Sequence, residues 1–179
     1  MTLAIAVLLF VTAQRLGELI IARRNTRLLM AQGAIEHGRA HYPVMVLLHA
    51  SWLATLWLLA WDRPVNLLLL AAFMVMQGLR VWVLMVLGTR WTTRVIVLPG
   101  EPLVARGPFR WVRHPNYCIV VAEIALLPLA FGLIGVAIVF SLLNAWMLWV
   151  RIGCENQALA AGPQAPRGPA NRPTRAPSR

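Results

Sequence analysis

The chain has 179 residues, 59% of them hydrophobic and only 13% charged, against about 25% charged in ordinary soluble domains. A soluble fold of this size could not bury that much apolar surface, so lipid must cover the remainder. All 17 basic residues are Arg and six residues are acidic, a net charge of +11, but no basic reading helix or aromatic–basic repeat accompanies it, so membrane orientation explains the charge better than nucleic-acid binding.

Residues 3–22 form the first run long enough to cross a bilayer core, which takes about 20 apolar residues; Gln14, Arg15 and Glu18 interrupt it. No basic stretch precedes this run, so it reads as the start of a retained helix rather than a signal peptide, although Val11-Thr12-Ala13 has some likeness to a cleavage site. Arg23, Arg24, Arg27 and Arg39 crowd the first connection. Residues 42–61 make the second span, with only His49 and Ser51 polar, and Asp62-Arg63-Pro64 make a tight turn. Residues 65–87 make the third, interrupted by Gln77 and Arg80.

The third connection, residues 88–117, carries Arg90, Arg94, Arg106, Arg110 and Arg113 and is too long for a simple link. Residues 94–98 and 102–104 are short β-like runs around the Pro99-Gly100 turn signal, and Trp91, Phe109 and Trp111 are expected to anchor this folded cap at the membrane surface. Residues 118–150 are too long for one span. Pro128, Gly132 and Gly135 offer a break, giving two closely packed helices of which the first need not fully cross.

The predicted fold is therefore an all-α integral membrane protein with four to five transmembrane helices, a cytoplasmic cap and a C-terminal helical hairpin. Residues 1–160 form the membrane domain and residues 161–179 a disordered tail of Pro, Ala, Gly and Arg that can touch anionic lipid. The positive-inside bias puts the first and third connections and the C-terminus in the cytoplasm and the N-terminus outside. Cys118 and Cys154 read as small buried thiols, with neither a disulfide framework nor a metal-ligand set in view.

Arg113-His114-Pro115-Asn116-Tyr117 lies where the cap meets the fourth hydrophobic run. Pro115 suits the first position of a helix, whose free N–H groups and dipole favour an anionic group. His114 and Asn116 can hydrogen-bond a purine or a carboxylate, and Tyr117 can stack or donate. The plainer alternative is a basic–aromatic interface belt with a helix-starting proline. Arg151 and Glu155, four apart on one helix face, are either functional or a surface ion pair. Glu123 sits at membrane depth and needs a partner, with Arg80 and Arg15 available.

Gly107-Pro108-Phe109, Arg113-His114-Pro115-Asn116-Tyr117, Glu123 and Arg151-Ile152-x-x-Glu155 together resemble the isoprenylcysteine carboxyl methyltransferase family. Gln14-Arg15-Leu16-Gly17-Glu18, Arg24-Asn25, Glu36-x-Gly38-x-x-His41-Tyr42-Pro43 and Leu87-Gly88-x-x-Trp91-Thr92-Thr93-Arg94 are similar to its bacterial branch, which O-methylates alkylresorcinols and alkylpyrones. The resemblance implies a membrane methyltransferase using S-adenosyl-L-methionine. It places a cofactor pocket on Leu103, Val104, Phe109, His114, Pro115, Asn116, Tyr117 and Glu155, and an acceptor-facing, catalytic arginine on Arg151.

Two departures from the family pattern stand out. Only Glu155, followed by Asn156, represents the usual acidic run, and residues 161–179 lack the aromatic tail that helps close the site. Three activities remain open on these grounds: O-methylation of a lipid-like phenol or pyrone, methyl-esterification of a prenylated cysteine, and a non-catalytic membrane scaffold. Membrane sterol reductases carry a similar Arg-His-Pro-Asn-Tyr, but their chains are much longer. The expected partners are a lipid-like acceptor and membrane lipids, in the bacterial inner membrane.

Overall fold

With no water in a bilayer core to satisfy backbone groups, each apolar run must close its hydrogen bonds internally as a helix. The computed structural model describes residues 2–101 and 104–160, the last two by backbone alone. It contains α1 (Leu3–Ala31), α2 (Tyr42–Ala60), α3 (Leu67–Leu87), α4 (Pro115–Ala130) and α5 (Ile134–Ala160). A two-stranded sheet, β1 (Ile35–His37) with β2 (Val95–Val97), lies outside them. α1, α2, α3 and α5 each contain a stretch long and apolar enough to cross a membrane. The protein is a multi-pass integral membrane protein. Leu103 and residues 161–179 lie outside the described residues, so the expectation of a disordered tail does too.

Local chemistry sets the helix ends. The Asn66 side-chain oxygen accepts from the Leu68 and Leu69 N–H groups at 3.1 Å each, an N-cap for α3. Proline stands in the first turn of α2 and of α4. α1 runs well past residue 22, because its Arg-bearing last turns need no apolar face once they leave the hydrocarbon. It stops before Gly33, whose φ of 86° turns the chain out of the helix. The break expected between α4 and α5 forms: Pro128 lacks an N–H, α4 ends at Ala130, and Gly132 takes φ 69°.

Hydrogen bonds at the two ends fix the path of the chain. At one end the Asn66 N–H donates to the Ala130 carbonyl at 2.8 Å, and the Thr2 hydroxyl to the Trp61 carbonyl at 3.0 Å. At the other, β1 and β2 pair antiparallel, with Ile35 opposite Val97 and His37 opposite Val95. The chain therefore changes ends with every helix, α4 included. Yet α4 has 16 residues, about 24 Å at 1.5 Å per residue, against a hydrocarbon core of about 30 Å. Since its C-terminus is tied to the far end, its N-terminus at Pro115 is sunk below the cap surface.

Three expectations need correction. The partner of β2 is β1, from the first connection, and Val104 of the second β-like run is in no strand. The reason is a long-range ion pair: Arg94 reaches Glu36 at 2.6 Å and lies 4.4 Å over the Tyr42 ring. The hydrogen bond it donates to the Glu36 carboxylate holds the Arg94 guanidinium above its ordinary pKa. Trp91, expected at the membrane surface, is buried, because Asn25 of α1 bonds its carbonyl at 2.8 Å and draws it inward. Cys118 is exposed and Cys154 half-buried, so neither is a buried thiol; α4 turns Cys118 outward, away from the packed helices.

The apolar core, built around Leu8, Val11, Trp52, Leu56, Phe73, Leu127 and Phe131, fills the half of the bundle away from the cap. Above it lies a charge-balanced network. Glu123 of α4 accepts from Arg80 and from Gln77 (2.7 Å) of α3 and from Arg15 of α1 (2.7 Å), while Glu18 takes Arg15 at 2.8 Å and Arg80 at 3.3 Å. Both Arg partners expected for Glu123 are present. Between this network and the cap the helices leave two cavities.

Candidate functional site

The sunk N-terminus of α4 and the last turns of α5 build the site. Tyr117, in the first turn of α4, donates its hydroxyl to Glu155 Oε2 at 2.7 Å. The His114 ring stacks on Tyr117 with centroids 5.2 Å apart and planes at 16°, and its Nδ1 lies 3.7 Å from Glu155 Oε1. A carboxylate and two stacked rings thus face one space.

Arg151 stands one turn earlier on α5 and turns the other way. Its Nη1 donates to the Thr93 carbonyl at 3.0 Å and touches Met45 Sδ, and its guanidinium carbon lies 5.9 Å from the Tyr117 ring centroid. Arg151 is only 6% exposed and forms no ion pair with Glu155 among the described residues. The two residues therefore do not form the surface pair that their spacing allowed. Each has partners on other elements.

A cavity of about 560 Å³ is lined by Val104, Phe109, His114, Pro115, Asn116, Tyr117, Arg151 and Glu155. These are all the described members of the expected set; Leu103 is the one left outside. Arg90, Arg94, Arg110 and Arg113 also line this space, with Arg90 paired to Glu101 of the same wall and Arg94 to Glu36, so the lining keeps a net positive charge. The Asn116 Oδ1 atom is buried in its wall without a hydrogen-bond partner, a costly arrangement unless a bound group donates to it. The volume lies in the usual range for cofactor sites.

A second cavity, of about 290 Å³, extends toward the ion network. Its walls are mainly apolar: Leu16 and Leu19 from α1, Val46 and Leu53 from α2, Met147 and Leu148 from α5. Leu16 (57% exposed) and Val46 (37%) also face outward, so the α1 and α2 side of this chamber borders the lipid-facing surface. Trp91, Thr92, Asn116, Tyr117 and Arg151 line both cavities. They are the wall at which the cationic space and the apolar one meet.

Sequence reasoning missed the residues that aim Arg151, namely Met45 and Thr93, and it missed Asn25, which bonds the Gly88 and Trp91 carbonyls at 3.1 and 2.8 Å. Asn25 and Thr93 both stand in the motifs that resemble the bacterial branch, and a polar Asn among the arginines ending α1 was a further signal for the former. Trp111 is exposed and sits 6.1 Å from the Trp82 ring. Gly107 is required where it stands. Its φ is 60°, and a Cβ there would come within 2.7 Å of Val86 on α3.

The model of the isoprenylcysteine carboxyl methyltransferase (ICMT) family matches residues 67–161, more than half of the chain, and that stretch contains the α4–α5 part of the site. The chain belongs to the ICMT family. Two relatives bear on this chain, each named only as an uncharacterized protein. YpbQ of Bacillus subtilis is 39% identical over 162 residues, covering 88% of this chain and 95% of the relative. A Haemophilus influenzae protein is 25% identical over 156 residues, covering 84% and 91%. No solved structure matches significantly. ICMT membership points to a membrane methyltransferase, and neither relative's name says what the acceptor is.

Proposed function

We propose that this ICMT-family protein transfers a methyl group from S-adenosyl-L-methionine to an oxygen of a lipid-like acceptor at the cytoplasmic boundary of a bacterial inner membrane. The observation that carries this reading is the meeting of a cationic cavity and a lipid-facing apolar one at a shared wall containing Arg151. A charged, water-soluble donor and a greasy acceptor need two such compartments in contact. Arginines crowd the cap end, with Arg63 at the opposite end, which favours a cytoplasmic cap and C-terminus.

The residues present fit the cofactor. The stacked His114–Tyr117 pair suits a purine, Glu155 suits an ammonium or hydroxyl group, the cap arginines suit a carboxylate, and Asn116 Oδ1 lacks a donor. When bound, the cofactor supplies an electrophilic methyl on a sulfonium. The protein's own work is alignment and exclusion of water. Arg151, held by Thr93, presents a fixed cation to the acceptor oxygen and favours its anionic form. The apolar chamber holds the acceptor's tail, which enters from the bilayer on the α1 and α2 side.

A long-chain phenol or pyrone of the alkylresorcinol type is the acceptor we favour, on the upstream motifs. Calorimetric titration of the purified protein in nanodiscs with S-adenosylmethionine, and separately with NADPH, tests the cofactor. Labelled methyl transfer to a 5-alkylresorcinol and to S-farnesylcysteine tests the acceptor. Binding of NADPH alone would favour a reductase, binding of neither a scaffold, and transfer only to farnesylcysteine the esterifying activity.

A further inference from the structure

His49 lies in the middle of α2, outside both the cofactor cavity and the ion network. Its Nδ1 is 2.9 Å from the Met45 carbonyl oxygen. A carbonyl only accepts, so Nδ1 carries the ring's proton and Nε2 keeps its lone pair. Nε2 has no hydrogen-bond partner among the described residues, and the ring lines the apolar chamber. Met45, one turn nearer the cap on the same helix face, is the residue whose sulfur touches Arg151. The imidazole therefore lies about 6 Å deeper than the Arg151 contact, one turn of helix.

We infer that His49 is the general base of the transfer, and that the acceptor's reacting group is a neutral hydroxyl of a phenol or enol. This rests on reading the chamber as the acceptor site. A carboxylate arrives ionised and needs no base, whereas a hydroxyl must lose its proton when it is methylated, and arginine cannot take it. The oxygen forms a bond to the methyl carbon as the carbon–sulfur bond of the sulfonium breaks, leaving a neutral thioether. The hydroxyl proton passes to Nε2, and the imidazolium then releases it to water.

The charged groups around the ring come from three other helices. Arg15 of α1, Arg80 of α3 and Arg151 of α5 act on the ring, and Glu18 and Tyr117 also line the chamber. Arg15 and Arg80 are paired with Glu18 and Glu123. Arg151 is left to share the forming oxyanion with the imidazolium.

The test uses the full-length protein in nanodiscs with a 4-alkylphenol and its 2-nitro derivative. At about pH 9 the nitro compound is ionised in solution, while the plain phenol, with pKa about 10, is mostly protonated. His49→Ala and His49→Gln should lower kcat on the plain phenol by about 100-fold and on the nitrophenol by less than about threefold, with S-adenosylmethionine affinity unchanged. Without any cofactor, the phenolate band of bound nitrophenol should appear about one pH unit higher in both variants, a tenfold loss. Wild-type enzyme should show a solvent deuterium effect on the plain phenol alone, a readout that does not depend on the variants folding. Equal losses on both phenols, or none, would overturn the base while leaving the methyltransferase reading intact. Wild-type protein that neither binds nor methylates either phenol would overturn the acceptor reading and the base together.

Discussion

Arg151 and Glu155 share a helix face and both approach Tyr117, but Arg151 is otherwise held by Thr93 and Met45 while Glu155 takes the Tyr117 hydroxyl, which gives each its own expected failure. Arg151→Ala should leave S-adenosylmethionine affinity nearly intact and abolish transfer to an alkylresorcinol, with partial recovery at high pH, where the phenol ionises unaided. Glu155→Ala should weaken cofactor binding itself, because the Tyr117 hydroxyl loses its acceptor. His114→Ala and Tyr117→Ala should each weaken binding at least tenfold, about 1.4 kcal/mol, with folded protein retained. Titration calorimetry beside single-turnover methyl transfer separates these outcomes. A mere surface pair would change stability by a few tenths of a kcal/mol and nothing else. The motif residues were legible because each of the two clusters, residues 113–117 and 151–155, falls within about one helix turn. His49 was not, since an isolated polar residue in an apolar run gives no hint of which cavity it lines.

At the scale of elements, the ion network joins α1, α3 and α4 where apolar packing gives way to cavity. Glu123 is 1% exposed and shared by Arg15 and Arg80, so Glu123→Leu leaves the buried Arg80 and the half-buried Arg15 with Glu18 as their one remaining counterion in the network. The expected loss is about 3–5 kcal/mol, read as a drop in thermal unfolding temperature in detergent. Glu123→Leu with Arg80→Met should cost clearly less than the two single losses added together; strict additivity would mean the groups do not act as a unit. Gly107→Ala, which forces a Cβ against Val86 at positive φ, should cost about 1–2 kcal/mol in the same assay. Polar residues at helical spacing, Gln14 with Glu18 and Gln77 with Arg80, marked the network's members. Their pairing across helices had no local signature.

For the whole molecule, the chain's alternation between ends makes a topological prediction. Reporter fusions at Gly33 and Gly100 should read cytoplasmic and one at Asp62 external, because the first two flank the β1–β2 cap and the third lies at the α2–α3 turn. Matching signals at Gly100 and Asp62 would contradict the alternation. The sequence by itself determined the membrane environment, the number of helices, the break at Pro128 and Gly132, and the motif at the start of α4. Each depends on the hydrophobicity and backbone chemistry of neighbouring residues, which a bilayer reads almost one segment at a time. Only the tertiary structure decided that β2 pairs with β1, that Trp91 is drawn inside, that Arg151 turns from Glu155 toward Met45 and Thr93, and that two cavities meet beside it. Those outcomes depend on how groups 58 to 106 residues apart fit together, and no local pattern encodes that fit.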